Sequence, residues 1–183
     1  MKNSLIRPSL CLLVLLLAAA CPGRSPEKPV APAATAAAPM TVEQTEAARL
    51  ALIDWLECEE CEEGQIEAVV KLGESAVPSL RAALLEGASP ATEELLRREL
   101  GKRYDELRRN AQTHPETKVA SSKEEFVAMY TGNLHAQYKT RAAQALGRIG
   151  GPAATRALQE GLERADRPDV QATVKNALAA AKR

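Results

Sequence analysis

The sequence predicts an all-α fold of about seven helices stacked as short hairpins, and three observations carry that expectation. First, a stretch occurs twice: residues 68–87 (AVVKLGESAVPSLRAALLEG) align without a gap on residues 142–161 (AAQALGRIGGPAATRALQEG). The copies share Leu72/Leu146, Gly73/Gly147, Pro78/Pro152, Leu84/Leu158 and Gly87/Gly161. A recurring helix–Gly–turn–Pro–helix unit marks a stacked helical repeat. Second, aromatics make up only 3% of the chain, and the Val/Ile/Thr/aromatic runs that build strands are missing. Third, Gly, Pro and Ser/Thr punctuate the chain at helical intervals.

The first helix is expected over residues 41–58. Thr41 and Gln44 have capping-box spacing, and Val42, Ala48, Leu52, Ile53 and Leu56 fall near one face beside Trp55. Residues 65–72 form a short helix stopped by Gly73, after which Ser75 caps the next and Pro78 lies in its first turn. That helix turns Val77, Leu80 and Leu84 inward. Ser89-Pro90 then opens a long helix to about residue 112, with Leu96, Leu100, Tyr104, Leu107 and Ala111 on one face. Its other face carries Glu93/Arg97, Glu94/Arg98, Glu99/Arg103 and Asp105/Arg109 as acid-first pairs four apart.

Residues 113–121 read as a loop, and Ser122 with Glu125 caps the next helix. Phe126, Tyr130, Leu134 and Tyr138 lie four apart on one stripe, with Thr131-Gly132-Asn133 placed to break the helix in two. Gly150-Gly151-Pro152 turns into a helix over 153–165, and Arg167-Pro168-Asp169 opens the last, with Val170, Val174 and Leu178 for the core. The copies lie 74 residues apart, about two helical hairpins. They are therefore expected in two separated layers with a divergent hairpin between them.

AAQALGRIGGPAATRAL resembles a bacterial HEAT repeat of the kind related to phycobilin lyases, and VKLGESAVPSLRAAL fits the same pattern. DVQATVKNAL resembles the start of a further repeat, with Gln171 where Arg is common. The resemblance implies a short right-handed α-solenoid of HEAT-like helical hairpins over residues 41–183 that binds something. It implies no lyase activity, because the repeat pattern carries no catalytic residue.

Residues 1–20 have the plan of a signal peptide. Lys2 and Arg7 precede the apolar run LCLLVLLLAAA, which is too short to span a bilayer comfortably. Ala18-Ala19-Ala20-Cys21 resembles a bacterial lipoprotein signal, with Ala18 where Leu is typical. The resemblance implies cleavage before Cys21, lipidation of Cys21 and a membrane anchor; cleavage after Ala20 with simple secretion is the alternative. Pro22, in place of the Asp associated with inner-membrane retention, leans the expectation towards the outer membrane, with the body facing the periplasm. Residues 21–40, rich in Ala and Pro, read as a disordered tether.

Formal net charge is zero, 24 basic against 24 acidic residues, but unevenly spread. Residues 41–100 carry 14 acids and 5 bases, and residues 101–183 carry 9 acids and 15 bases. Such polarity can steer a partner. Nucleic acid is disfavoured, because bases alternate with acids and few aromatics are present to stack.

The sharpest local feature is ECEECEE over residues 57–63. Cys58 and Cys61, three apart, can form a disulfide in an oxidising compartment, a reactive redox pair, or half of a metal site. Surrounding glutamates and a helix C-terminus raise thiol pKa values, which suits redox work poorly. His114 and His135 are the only histidines, and no nucleophile elbow, phosphate loop or metalloprotease motif is present. No cofactor or metal is expected. The leading reading is a non-catalytic, lipid-anchored envelope protein that binds a protein or peptide, with Tyr104, Phe126, Tyr130 and Tyr138 as candidate surface. The alternative is a thiol-based accessory factor using Cys58 and Cys61.

Overall fold

The computed structural model describes residues 42–114, 116 and 118–181. The expectations for the leader, Cys21 and the tether lie outside the described residues. The described chain is all-α: α1 (Val42–Glu57), α2 (Glu63–Lys71), a 3-10 turn (Gly73–Ala76), α3 (Val77–Glu86), α4 (Pro90–Thr113), α5 (Lys123–Ile149), α6 (Gly151–Arg164) and α7 (Pro168–Ala181). No strand occurs among the described residues.

Local chemistry sets most boundaries. Ser122 and Glu125 close the predicted capping box on α5: Glu125 N donates to Ser122 Oγ (3.1 Å), and Ser122 N donates to Glu125 Oε2 (2.8 Å). Ser89 Oγ accepts from Thr92 N at the start of α4, with Pro90 first in the helix. Ser75 does not cap α3 as the sequence suggests. Its hydroxyl donates back to Leu72 O (2.7 Å), within a 3-10 turn that carries the chain from α2 into α3. Gly150 and Gly151 both take positive φ, 67° and 78°, a tight turn that only consecutive glycines make without strain.

The structure corrects two expectations about the middle of the chain. Thr131-Gly132-Asn133 does not break the helix, and α5 runs for 27 residues. Nor are the repeat copies in separated layers. α3, of the first copy, packs directly on α5 and α6, of the second. Arg81 on α3 makes a two-point ion pair with Glu160 on α6 (2.7 and 2.8 Å). The physical reason is the length of α5, about 40 Å at 1.5 Å per residue. Its N-terminal part pairs with α4, while its C-terminal part serves as the first helix of the second repeat. The divergent hairpin is thus a lateral extension and not an intervening layer.

Two rows result. α2, the C-terminal part of α5, and α7 form one, and α3 with α6 forms the other. The core between them is Ala- and Leu-rich: Leu80, Ala142, Ala143, Ala145, Leu146, Ala154, Leu158 and Val174 are fully buried. Small side chains bring backbones close. A Cβ on Gly147 would stand 2.9 Å from Ala177 Cα, so α5 and α7 touch there at backbone distance.

Candidate functional site

One face of α5 is left open as the floor of a groove. Asn133, Ala136, Gln137, Thr140, Gln144, Gly147 and Arg148 line it at steps of one, three or four residues. One wall is the α1–α2 corner, with Trp55, Cys61, Glu62, Glu63 and Ile66. The other is α7 and its approach, with Arg167, Asp169, Thr173, Asn176 and Ala180. Two cavities of about 480 and 490 Å³ make up the groove and share Trp55, Cys61 and Gln144.

The corner is held by bonds from α5. The last carbonyls of a helix lack intrahelical partners, and Leu56 O at the end of α1 accepts from Arg141 Nη1 (2.8 Å) and Gln137 Nε2 (3.4 Å). Trp55 Nε1 donates in return to Arg141 O (3.0 Å). Burial draws the Arg141 guanidinium below its ordinary value. Cys58 and Cys61 form a disulfide across the turn into α2, with Cα atoms 5.3 Å apart. Cys58 is buried and Cys61 is exposed on the groove side.

The cations inside the groove are matched. Arg148 meets both Glu63 and Glu67 at 2.6 Å, and the bond it donates to Glu63 raises its pKa. Arg167 pairs with Asp169 (2.8 Å) and reaches Asn133 Oδ1 (3.1 Å); the Arg167 bond holds Asp169 below the usual carboxylate range. Beside Glu62, two neutral amides remain open. Gln144 and Asn176, on facing elements, are exposed and have no hydrogen-bond partner among the described residues. A side-chain amide both donates and accepts, which is what the main chain of a bound peptide requires.

The predicted aromatic surface divides. Tyr104, Phe126 and Tyr130 come together on the α4–α5 hairpin, with ring centroids 5.6 and 4.7 Å apart. Tyr104 is buried and donates to Ser121 O (2.7 Å), and only Tyr130 is exposed. Tyr138 lies apart from them, buried in the core with its hydroxyl donating to Glu57 on α1. Burial, reinforced by that carboxylate, pushes the Tyr138 phenol well up. His135 is structural: Ala88 N donates to its Nδ1 (3.2 Å), so Nε2 carries the proton towards Glu93 Oε2 (3.2 Å). His114 is exposed, 3.3 Å from Glu116.

No motif in the sequence marks the groove. Its signal is an uncharged polar stripe, Asn133, Gln137, Thr140 and Gln144, repeating at helical steps beside the apolar one.

Residues 139–164 match the PBS lyase HEAT-like repeat family. The match covers the C-terminal part of α5 and the whole of α6, the second copy of the repeated stretch, and it supports a HEAT-like helical domain. No curated protein and no solved structure matches the chain.

Proposed function

We propose that this protein is a non-catalytic, lipid-anchored scaffold of a bacterial cell envelope, and that its HEAT-like body binds a peptide segment of a partner protein in the groove along α5. The observation that carries the reading is the open polar floor, where the amides of Gln144 on the floor and Asn176 on the α7 wall line the same cavity without a hydrogen-bond partner among the described residues. Helical repeats present extended surfaces of this kind and bind through them. The floor from Asn133 to Arg148 is about 22 Å long at 1.5 Å per residue. An extended peptide of about six or seven residues covers that length at about 3.3 Å each.

Cys21, outside the described residues, supplies the anchor in this reading, and the tether lets the body reach its partner. The lean towards the outer membrane rests on Pro22 alone. Among the described residues no helix is long and apolar enough to cross a membrane. The disulfide serves as a staple for the groove wall. A thiol-based role has one observation in its favour, the exposure of Cys61 beside Trp55. It has the buried Cys58 and the surrounding carboxylates against it.

A photo-crosslinking residue placed at Gln144 in living cells tests the binding surface. It is expected to yield a discrete protein adduct that the same residue at Arg156, exposed on α6, does not yield. Equal adducts from both positions would contradict the groove. Lipid labelling is expected to vanish in Cys21→Ser, and labelling that persists would remove the anchor.

A further inference from the structure

The geometry points to an extended, cationic polypeptide segment as the occupant of this groove, a step that rests on the peptide-binding reading above. The cations of the floor and of the α7 wall are paired, and the carboxylates without a cationic partner stand at the α1–α2 corner. Residues 54–63 carry Asp54, Glu57, Glu59, Glu60, Glu62 and Glu63, with no Lys or Arg among them. Three of these carboxylates are engaged, Glu57 by the Tyr138 hydroxyl, Glu63 by Arg148 and Glu62 by the Gln65 backbone in the α2 capping box. Glu59, Glu60 and Glu62 are exposed and have no cationic partner among the described residues.

The cations that line the groove are already satisfied. Arg148 is held by two glutamates, Arg167 by Asp169, and Arg141 is spent on the Leu56 carbonyl. An anionic ligand would therefore meet no unmatched positive charge along the lining, and it would lie beside Glu62, with Glu59 and Glu60 exposed on the same corner. A chain bearing Lys or Arg meets the opposite situation. Its main chain can pair with the amides of Gln144 and Asn176, while its cations reach the α1–α2 corner. Complementarity of this kind selects partners and speeds encounter. A sugar polymer fits less well, because Trp55 is only 5% exposed and offers no open ring face for stacking.

Trp55 is the only tryptophan in the chain and lines both halves of the groove, so its fluorescence reports occupancy. The full-length chain, in micelles of a neutral detergent, is titrated with three eight-residue peptides: (Ala-Lys)4, (Ala-Gln)4 and (Ala-Glu)4. The lysine peptide is expected to shift Trp55 emission and to bind about tenfold more tightly than the glutamine peptide at low salt, a gap that closes as salt screens the charges. The triple variant Glu59→Gln/Glu60→Gln/Glu62→Gln is expected to bring the lysine peptide down to the level of the glutamine peptide. Gln144→Arg, at an exposed position, is expected to abolish binding of both, with unchanged helical circular dichroism as the check on folding. Asn176→Arg repeats the test from the α7 wall.

Equal affinity for the lysine and glutamine peptides, or preference for the glutamate peptide, overturns the cationic preference and leaves peptide binding standing. Binding of none of the three overturns both. Lysine-peptide binding that survives Gln144→Arg and Asn176→Arg places the contact outside the groove and overturns the proposal.

Discussion

Leu84 of the first repeat lies against the backbone of Gly161 in the second, so close that a Cβ on Gly161 would stand 2.5 Å from Leu84 Cδ2. That contact joins α3 to α6 and sets the spacing of the two repeats. It also explains why the groove exists on the other row: with α3 seated on α6, α2 and α7 flank α5 and leave its polar stripe uncovered. Gly161→Ala is expected to cost roughly 1–3 kcal/mol through overpacking. In the Leu84→Ala background the same change is expected to cost far less, because the obstructing methyls are gone. Urea unfolding of the four proteins measures the coupling, and additive losses would contradict direct contact.

Two glycines of α5 make opposite predictions. A Cβ on Gly147 meets the Ala177 backbone at 2.9 to 3.0 Å, which only separation of α5 from α7 can relieve. Gly147→Ala is expected to destabilise by about 2 kcal/mol or more. A Cβ on Gly132 meets nothing within 4 Å. Gly132→Ala is expected to stabilise the chain by about 0.5–1 kcal/mol through helix propensity alone. Thermal melts of the two variants check the signs.

Local rules carried much of the fold and stopped where distant segments meet. The Ser122/Glu125 box and Pro90 were legible because each needs only its neighbours. Of the acid–base pairs on α4, Glu93–Arg97 (2.6 Å) and Glu94–Arg98 (3.9 Å) form, whereas Glu99 turns to Lys102 and Asp105 is taken by Lys123 once α5 docks (both 2.8 Å). The bond from Arg141 to Leu56 O spans 85 residues and has no periodic signature. The stripe Asn133, Gln137, Thr140 and Gln144 was present in the sequence. That it lines a groove depends on where α1 and α7 pack, which the stripe itself does not encode.

The disulfide closes a very short loop, so reducing it is expected to lower stability by about 2 kcal/mol at most in the chain-entropy picture. The Trp55 and Arg141 bonds do not involve the cysteines and are expected to hold the corner in that state. Urea unfolding with and without a dithiol reductant checks the magnitude, and unfolding on reduction alone would contradict a staple role.

Stability is expected to fall at both pH extremes, for different groups. Glu46, Glu93, Glu99 and Asp169 are held below their ordinary values, in each case first by a hydrogen bond from a neighbouring cation (Arg49, Arg97, Lys102 and Arg167). Their contributions are fully present above the normal carboxylate range and are lost as pH falls through and below it. Tyr138 is shifted upwards, first by burial and then by Glu57. Its contribution is present below the ordinary phenol value of about 10 and is lost as pH rises beyond it. Chemical denaturation at several pH values is expected to show the alkaline loss in the parent chain and a weaker one in Tyr138→Phe.

The side-chain amides of Gln144 and Asn176 give the most direct test of the groove as the working surface. Their NH₂ resonances, together with the Trp55 indole, are followed by NMR while (Ala-Lys)4 is added to the full-length chain. The groove account predicts that these three signals move together and saturably, with Met129 and Tyr130 of the lateral hairpin unmoved. Shifts concentrated at Met129 and Tyr130, with Gln144, Asn176 and Trp55 unchanged, would contradict it and place binding on the exposed hairpin instead.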